Sequence, residues 1–173
     1  MRFIFLAAML LWSVTLCAQQ SAENYRLGPG DEIEIKVYGE EELNLTTQLT
    51  DSGIVNYPFL GELNFKGLTI KEVEAQIHDG LKGDYLIDPN VYVGISAYRP
   101  FYIHGEVKKP GAYPYQPGMT VNQAIALAGG LTERASREKI SLSREGSKTV
   151  VETGSLNSRV KAGDTVTIQQ RFF

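Results

Sequence analysis

Apolar and polar positions alternate along residues 32–37. Ile33, Ile35 and Val37 share one face of an extended chain, and Glu32, Glu34 and Lys36 share the other. The pattern predicts a half-buried strand entered through a turn at Pro29-Gly30. The same period returns in "DPNVYVGIS", with Val91, Val93 and Ile95 on one face, and in "GDTVTIQQ", whose Gly-Asp and β-branched alternation echo the opening "GDEIEI". Two other stretches carry helix signals, "GLTIKEVEAQI" (67–77) and "GMTVNQAIALA" (118–128). Thr69 with Glu72, and Thr120 with Gln123, stand at capping-box spacing, and Leu68 with Val73, and Met119 with Ala124, at hydrophobic-staple spacing. The first helix would bury Ile70, Val73, Ile77 and Leu81, and the second would end at Gly129-Gly130.

Short strands fill the rest. Residues 45–65 read as strands broken at Ser52-Gly53 and Gly61, and "KISLSR" and "KTVVET" follow the second helix. "FYIHGEV" and "AYPYQ" flank Lys109-Pro110-Gly111, where Pro and Gly suit the central positions of a type II turn. Each half of the chain therefore combines strands with one helix, an α+β arrangement of helix on sheet. Tyr98-Arg99-Pro100 is the expected junction, dividing the chain into a domain at 22–98 and a second at 99–173.

The first eighteen residues do not belong to that pattern. Arg2 precedes the apolar "FIFLAAMLLWSV", and "TLCAQQ" offers small residues for cleavage after Ala18, which together read as a secretory signal peptide. Cys17 raises the alternative of a lipoprotein site. Leu16 stands where such a site needs a small residue, so lipidation is not expected. Cleavage after Ala18 removes the chain's one cysteine and with it any disulfide. It also removes Arg2, leaving 16 basic against 20 acidic side chains, a net charge of −4 compared with −3 for the whole chain. That balance excludes nucleic acid as an expected partner, since phosphate binding needs basic stripes. No later apolar run approaches the roughly 20 residues of a membrane helix.

Candidate chemistry is sparse. Residues 27–42 hold six carboxylates, but the alternation assigns them to the wet side of a strand and to the turn beyond Gly39. His78 falls near a helix end, where the dipole favours it. His104 shares an outward strand face with Tyr102 and Glu106. No zinc spacing, phosphate loop or nucleophile elbow is present, so no catalytic residue, metal or cofactor is expected. The nine tyrosines are more suggestive. Tyr98, Tyr102, Tyr113 and Tyr115 cluster near the junction with His104, and rings with a polar edge suit glycans or an interface. Ordinary strand composition explains any one of them equally well.

Taken together, "YRLGPGDEIEIKVYG", "PFLGE" (58–62), "GLTIKEVE" and "DPNVYVGI" resemble the polysaccharide-export domain of bacterial capsule and exopolysaccharide exporters. "IHGEVKKPGAYPY" followed by "GMTVNQAIALAGGLTERA" resembles the soluble-ligand-binding β-grasp (SLBB) domain that follows it in that family. The resemblance spans about residues 25–170. Ser52 departs from the Asp or Asn the family more often places before this glycine, a substitution within a turn.

The resemblance implies a small mixed-sheet export domain and one β-grasp domain. It also implies a ring-shaped homo-oligomer in the periplasm that conducts polysaccharide from an inner-membrane co-polymerase. Channel members of the family continue into a further β-grasp repeat and an amphipathic helix, whereas this sequence stops at "GDTVTIQQRFF". The expectation is thus a separate outer-membrane β-barrel as partner, contacted through a free edge of the last strand with Phe172 and Phe173 at its end. Two rivals remain: a glycan-binding module that conducts nothing, and a polysaccharide-modifying enzyme, which would need a convergent carboxylate pair.

Overall fold

The computed structural model describes residues 25–145 and 151–171, with side chains omitted at Val151 and Glu152. The proposed signal peptide, including Cys17 and Ala18, lies outside the described residues, as do Phe172 and Phe173.

The architecture is α+β. The first core forms around β1 (Glu32–Val37), which pairs antiparallel with β2 (Leu45–Gln48) on one side and β5 (Val91–Ala97) on the other. Its alternation is that of the sequence: Ile33, Ile35 and Val37 are buried, Lys36 is exposed, and Glu34 pairs with Lys36 at 2.7 Å. A separate hairpin, β3 (Ile54–Tyr57) and β4 (Gly61–Asn64), closes a further side. The Tyr57 ring is buried there, and its hydroxyl donates to the Leu43 carbonyl at 2.8 Å. Burial pushes that hydroxyl's pKa up to about 12.

Helix α1 (Ile70–Leu81) lies on β5 and buries Val73, Ile77 and Leu81, four residues apart along one face. Each such side chain contributes about 1.5–3 kcal/mol relative to exposure. Thr69 starts the helix through a complete capping box: its hydroxyl accepts from the Glu72 amide, and the Glu72 carboxylate accepts from the Thr69 amide at 2.7 Å.

The second core backs a five-stranded sheet of order β7-β6-β10-β8-β9, with β6 at Phe101–Gly105, β7 at Gly111–Tyr113, β8 at Ala135–Ser143, β9 at Val151–Gly154 and β10 at Thr165–Gln170. Helix α2 (Val121–Leu127) repeats the capping box with Thr120 and Gln123 and buries Val121, Ala124 and Ile125. Gly129 and Gly130 follow at positive φ, as expected past a helix end.

Two local expectations are corrected. The reversal between β6 and β7 does not turn on Pro110-Gly111: Gly111 already belongs to β7, paired with Ile103, and lacks the positive φ a type II turn requires. Gly105 supplies the left-handed residue instead, with φ of 89° and the Ile168 carbonyl so close that a Cβ would meet it at 2.1 Å. The last strand has no free edge. β10 sits in the middle of its sheet, parallel to β6 and antiparallel to β8, so a partner cannot extend the sheet from it.

Candidate functional site at the domain junction

The Gly-Asp echo is structural. Gly30 and Gly163 both take positive φ, 89° and 78°, and each feeds a buried aspartate into the next strand. The Asp31 carboxylate accepts from the Gly28 amide at 2.8 Å, and the Asp164 carboxylate from the Lys161 amide at 2.7 Å. In both, the aspartate folds back on the residue three positions earlier, and its own amide donates to that residue's carbonyl at 3.2 Å.

Asp31 corrects the reading of the opening acids as uniformly solvated. It is 0% exposed, and it is neutralised by the Arg99 guanidinium, whose Nη1 lies 2.6 Å from Oδ2. The Arg99 amide and the Tyr25 hydroxyl also donate to it, at 2.8 and 2.7 Å. Burial, then the hydrogen bond to Asp31 and its charge, push the Tyr25 hydroxyl far above its ordinary range, so it remains a neutral donor. Arg99 then reaches the second core, placing Nε 2.6 Å from the Glu145 carboxylate just beyond β8. Asp164 pairs with Arg144. Burial raises its pKa, while the Lys161 amide and Arg144 oppose that shift.

Above these ion pairs the rings of Tyr25, Tyr98 and Tyr115 meet edge to face, at 5.0 and 5.5 Å between successive centroids. Tyr25 and Tyr115 line a cleft of about 520 Å³ between the two halves of the chain, together with Arg26, Arg99, Arg144, Arg159 and Lys161. Its two lining carboxylates, Glu145 and Asp164, are each held by an arginine. An acid–base pair poised for hydrolysis would need one carboxyl free to hold a proton and another free to attack or activate water.

The candidates from sequence separate into three places. Tyr98 and Tyr115 come together at the junction. Tyr102 and His104 stand on the open face of β6, with His104 Nε2 3.1 Å from the Thr167 hydroxyl. Tyr113 packs its ring on Phe101, and its hydroxyl donates to the Lys109 carbonyl at 2.7 Å. Asp31, Arg99, Arg144, Glu145 and Asp164 escaped the sequence reading. The repeated Gly-Asp was the available signal, together with Arg99 inside the junction tripeptide.

Among the described residues, no group of three or more His, Cys, Asp or Glu side chains could hold a metal, and no helix is long and apolar enough to cross a membrane.

Comparison with known proteins identifies the class of molecule to which this architecture belongs. Residues 19–96 match the polysaccharide biosynthesis/export protein family, and residues 100–152 match the SLBB domain. Over those residues the chain carries a polysaccharide biosynthesis/export domain followed by an SLBB domain. It is 32% identical to the exopolysaccharide production protein ExoF of Rhizobium meliloti (strain 1021), over 90% of this chain and 40% of that protein. It is 29% identical to the EPS I polysaccharide export outer membrane protein EpsA of Ralstonia nicotianae, over 87% of this chain and 48% of that protein. The polysialic acid transport protein KpsD of Escherichia coli is 27% identical over 70% of this chain and 22% of its own length. The chain thus spans less than half the length of these relatives.

Proposed function

We propose that the protein is a non-enzymatic component of a machine exporting capsule or exopolysaccharide, delivered to the periplasm by its signal peptide and working against the outer membrane. Several copies form a ring around the moving polymer. An inner-membrane co-polymerase delivers the chain, and a separate outer-membrane β-barrel is the proposed exit. The observation that carries the reading is the succession of two matched domains on one chain, the second following the first within a few residues. Arg99 supports it by forming ion pairs with groups of both domains, Asp31 and Glu145. The functional units proposed are residues 22–98 and 99–173.

Deletion of the gene tests the role: surface polysaccharide should be lost while precursor synthesis continues. A purified protein that cleaves or modifies the polymer, with altered rather than absent surface glycan in the deletion strain, would show an enzyme instead. Mass measurement in mild detergent tests the ring, and a stable monomer or dimer favours the second reading, a glycan-binding module that conducts nothing. That second reading draws on the cationic, tyrosine-flanked cleft. Intact mass beginning at Gln19 without acyl chains tests the cleavage, and crosslinking in intact cells tests the barrel.

A further inference from the structure

The junction cleft concentrates positive charge on a chain whose net charge is −3. Arg99 is matched by Asp31 and Glu145, Arg144 by Asp164, and Arg26 meets Glu72 at 3.5 Å with both side chains largely exposed. Arg159 and Lys161 differ: among the described residues, no carboxylate is hydrogen-bonded or ion-paired to either side chain, and the Lys161 ammonium acts on Asp164 only through its charge. Both are exposed at the cleft. Arg159 is fixed from behind, because its backbone bridges to Thr120 at the start of α2. Its guanidinium lies close to Gly118, 3.7 Å from where a Cβ would stand, and its charge acts on the Tyr115 hydroxyl.

A planar guanidinium on an anchored backbone, with an ammonium two residues away, suits a carboxylate, which it can meet with two parallel N–H bonds. The Tyr115 ring lining the same cleft gives an apolar surface beside that charge. The volume, about 520 Å³, falls within the range of small-ligand sites. The cleft's own acids are already engaged, so an incoming anion need not displace them.

We propose that this cleft binds an acidic sugar residue of the transported polymer through its carboxylate, with Arg159 and Lys161 supplying the charge and Tyr115 the flat contact. The inference rests on the export reading and deepens it, from polysaccharide to uronate-type polysaccharide. The salt bridges hold the site's shape, and the two cations without a direct ion pair recognise the ligand.

Titration of the full mature chain with trigalacturonate, followed by amide chemical shifts, tests it. Binding should shift the Arg159 and Lys161 amides and weaken with added salt. The double variant Arg159→Gln/Lys161→Gln should bind at least about tenfold more weakly, the loss of one charge-assisted hydrogen bond or more. Both side chains are exposed, and equal thermal midpoints for variant and wild type would exclude a folding defect. Maltotriose, of the same length and without charge, should not compete. Equal binding of maltotriose, undiminished binding by the double variant, no binding at all, or tighter binding of inorganic phosphate or anionic lipid vesicles each overturns the proposal. Complementation separates this outcome from the export reading. If deletion leaves surface polymer intact, the export reading fails. If deletion removes the polymer and the double variant restores it fully, only the cleft inference fails.

Discussion

Two turns of the same form serve the two domains differently. At Gly30-Asp31 the buried carboxylate receives four donors, the Gly28 and Arg99 amides, the Tyr25 hydroxyl and the Arg99 guanidinium. Arg99 belongs to the junction, so this turn ties its own domain to the chain that leaves it. At Gly163-Asp164 the carboxylate takes the Lys161 amide and the guanidinium of Arg144, a residue of the same domain, just past the end of β8. One turn holds a connection between domains, and the other closes a sheet. A local motif fixes where a carboxylate is buried, but the partner that neutralises it decides what the burial does.

Removing the carboxylates should separate the two turns most sharply. Asp31→Ala leaves the Arg99 guanidinium, itself only 15% exposed, without its buried partner. The expected loss is about 3–5 kcal/mol in urea unfolding. Asp164→Ala frees fewer donors and should lose about 1–3 kcal/mol. Equal losses would mean that the junction partner adds nothing, and the comparison would collapse.

The glycines give a finer test. Gly30→Ala and Gly163→Ala each force an alanine into the left-handed region, at about 1–2 kcal/mol. A Cβ at 163 would also stand 2.0 Å from Glu145 Oε2 and 3.0 Å from Arg99 Nε, so it must displace that ion pair. A Cβ at 30 meets only the Arg99 Cβ, at 3.2 Å. Gly163→Ala should therefore loosen the junction, read as faster amide exchange around Glu145 and Arg99, whereas Gly30→Ala should leave the Arg99–Glu145 contact in place.

These differences explain what could be read from the chain. Strand β1 was legible because burial on one face imposes a period of two, and both helix starts because a capping box fixes residue types three apart. The buried aspartates were not. An acid after Pro-Gly looks like a solvated turn, and its partner Arg99 lies 68 positions away. The misplaced reversal at Pro110-Gly111 has the same origin. Turn chemistry at Pro-Gly is local, but the approach of Ile168 that demands glycine at 105 belongs to β10, which inserts beside β6 only in the folded sheet. That insertion also removed the free strand edge.

Asp164 makes a prediction about pH. Its folded pKa lies above the ordinary value of 3.8, because burial outweighs the Lys161 amide and Arg144. The folded state then holds the proton more tightly than the unfolded chain. The associated stability is fully present below about pH 3.8 and is lost as pH rises through the raised value. Asp164→Asn does not titrate there, so wild type should lose ground against the variant as pH rises across that window. Unfolding free energies of both proteins at several pH values check this. A trend in the opposite direction would mean that Arg144 dominates the site.

The smallest effect concerns the two capping boxes, alike in geometry and unlike in charge: Glu72 closes the first and Gln123 the second. The Thr69 amide and hydroxyl hold the Glu72 carboxyl below its ordinary value of 4.5. The sign is opposite to that at Asp164. Stability from Glu72 is present above about pH 4.5 and fades as pH falls through the lowered value. Glu72→Gln should retain the hydrogen-bond acceptor and lose only this charge, so its deficit against wild type should appear at neutral pH and vanish in acid. Gln123→Glu should give the seven-residue α2, whose first turn holds no acid, the same kind of gain at neutral pH, since an acid near a helix start complements the dipole. Thermal midpoints at neutral and acid pH would read both variants, with shifts smaller than at either aspartate. If Glu72→Gln lowers the midpoint equally at both pH values, the carboxylate acts through its shape and hydrogen bonds, and the two boxes are equivalent despite their charge.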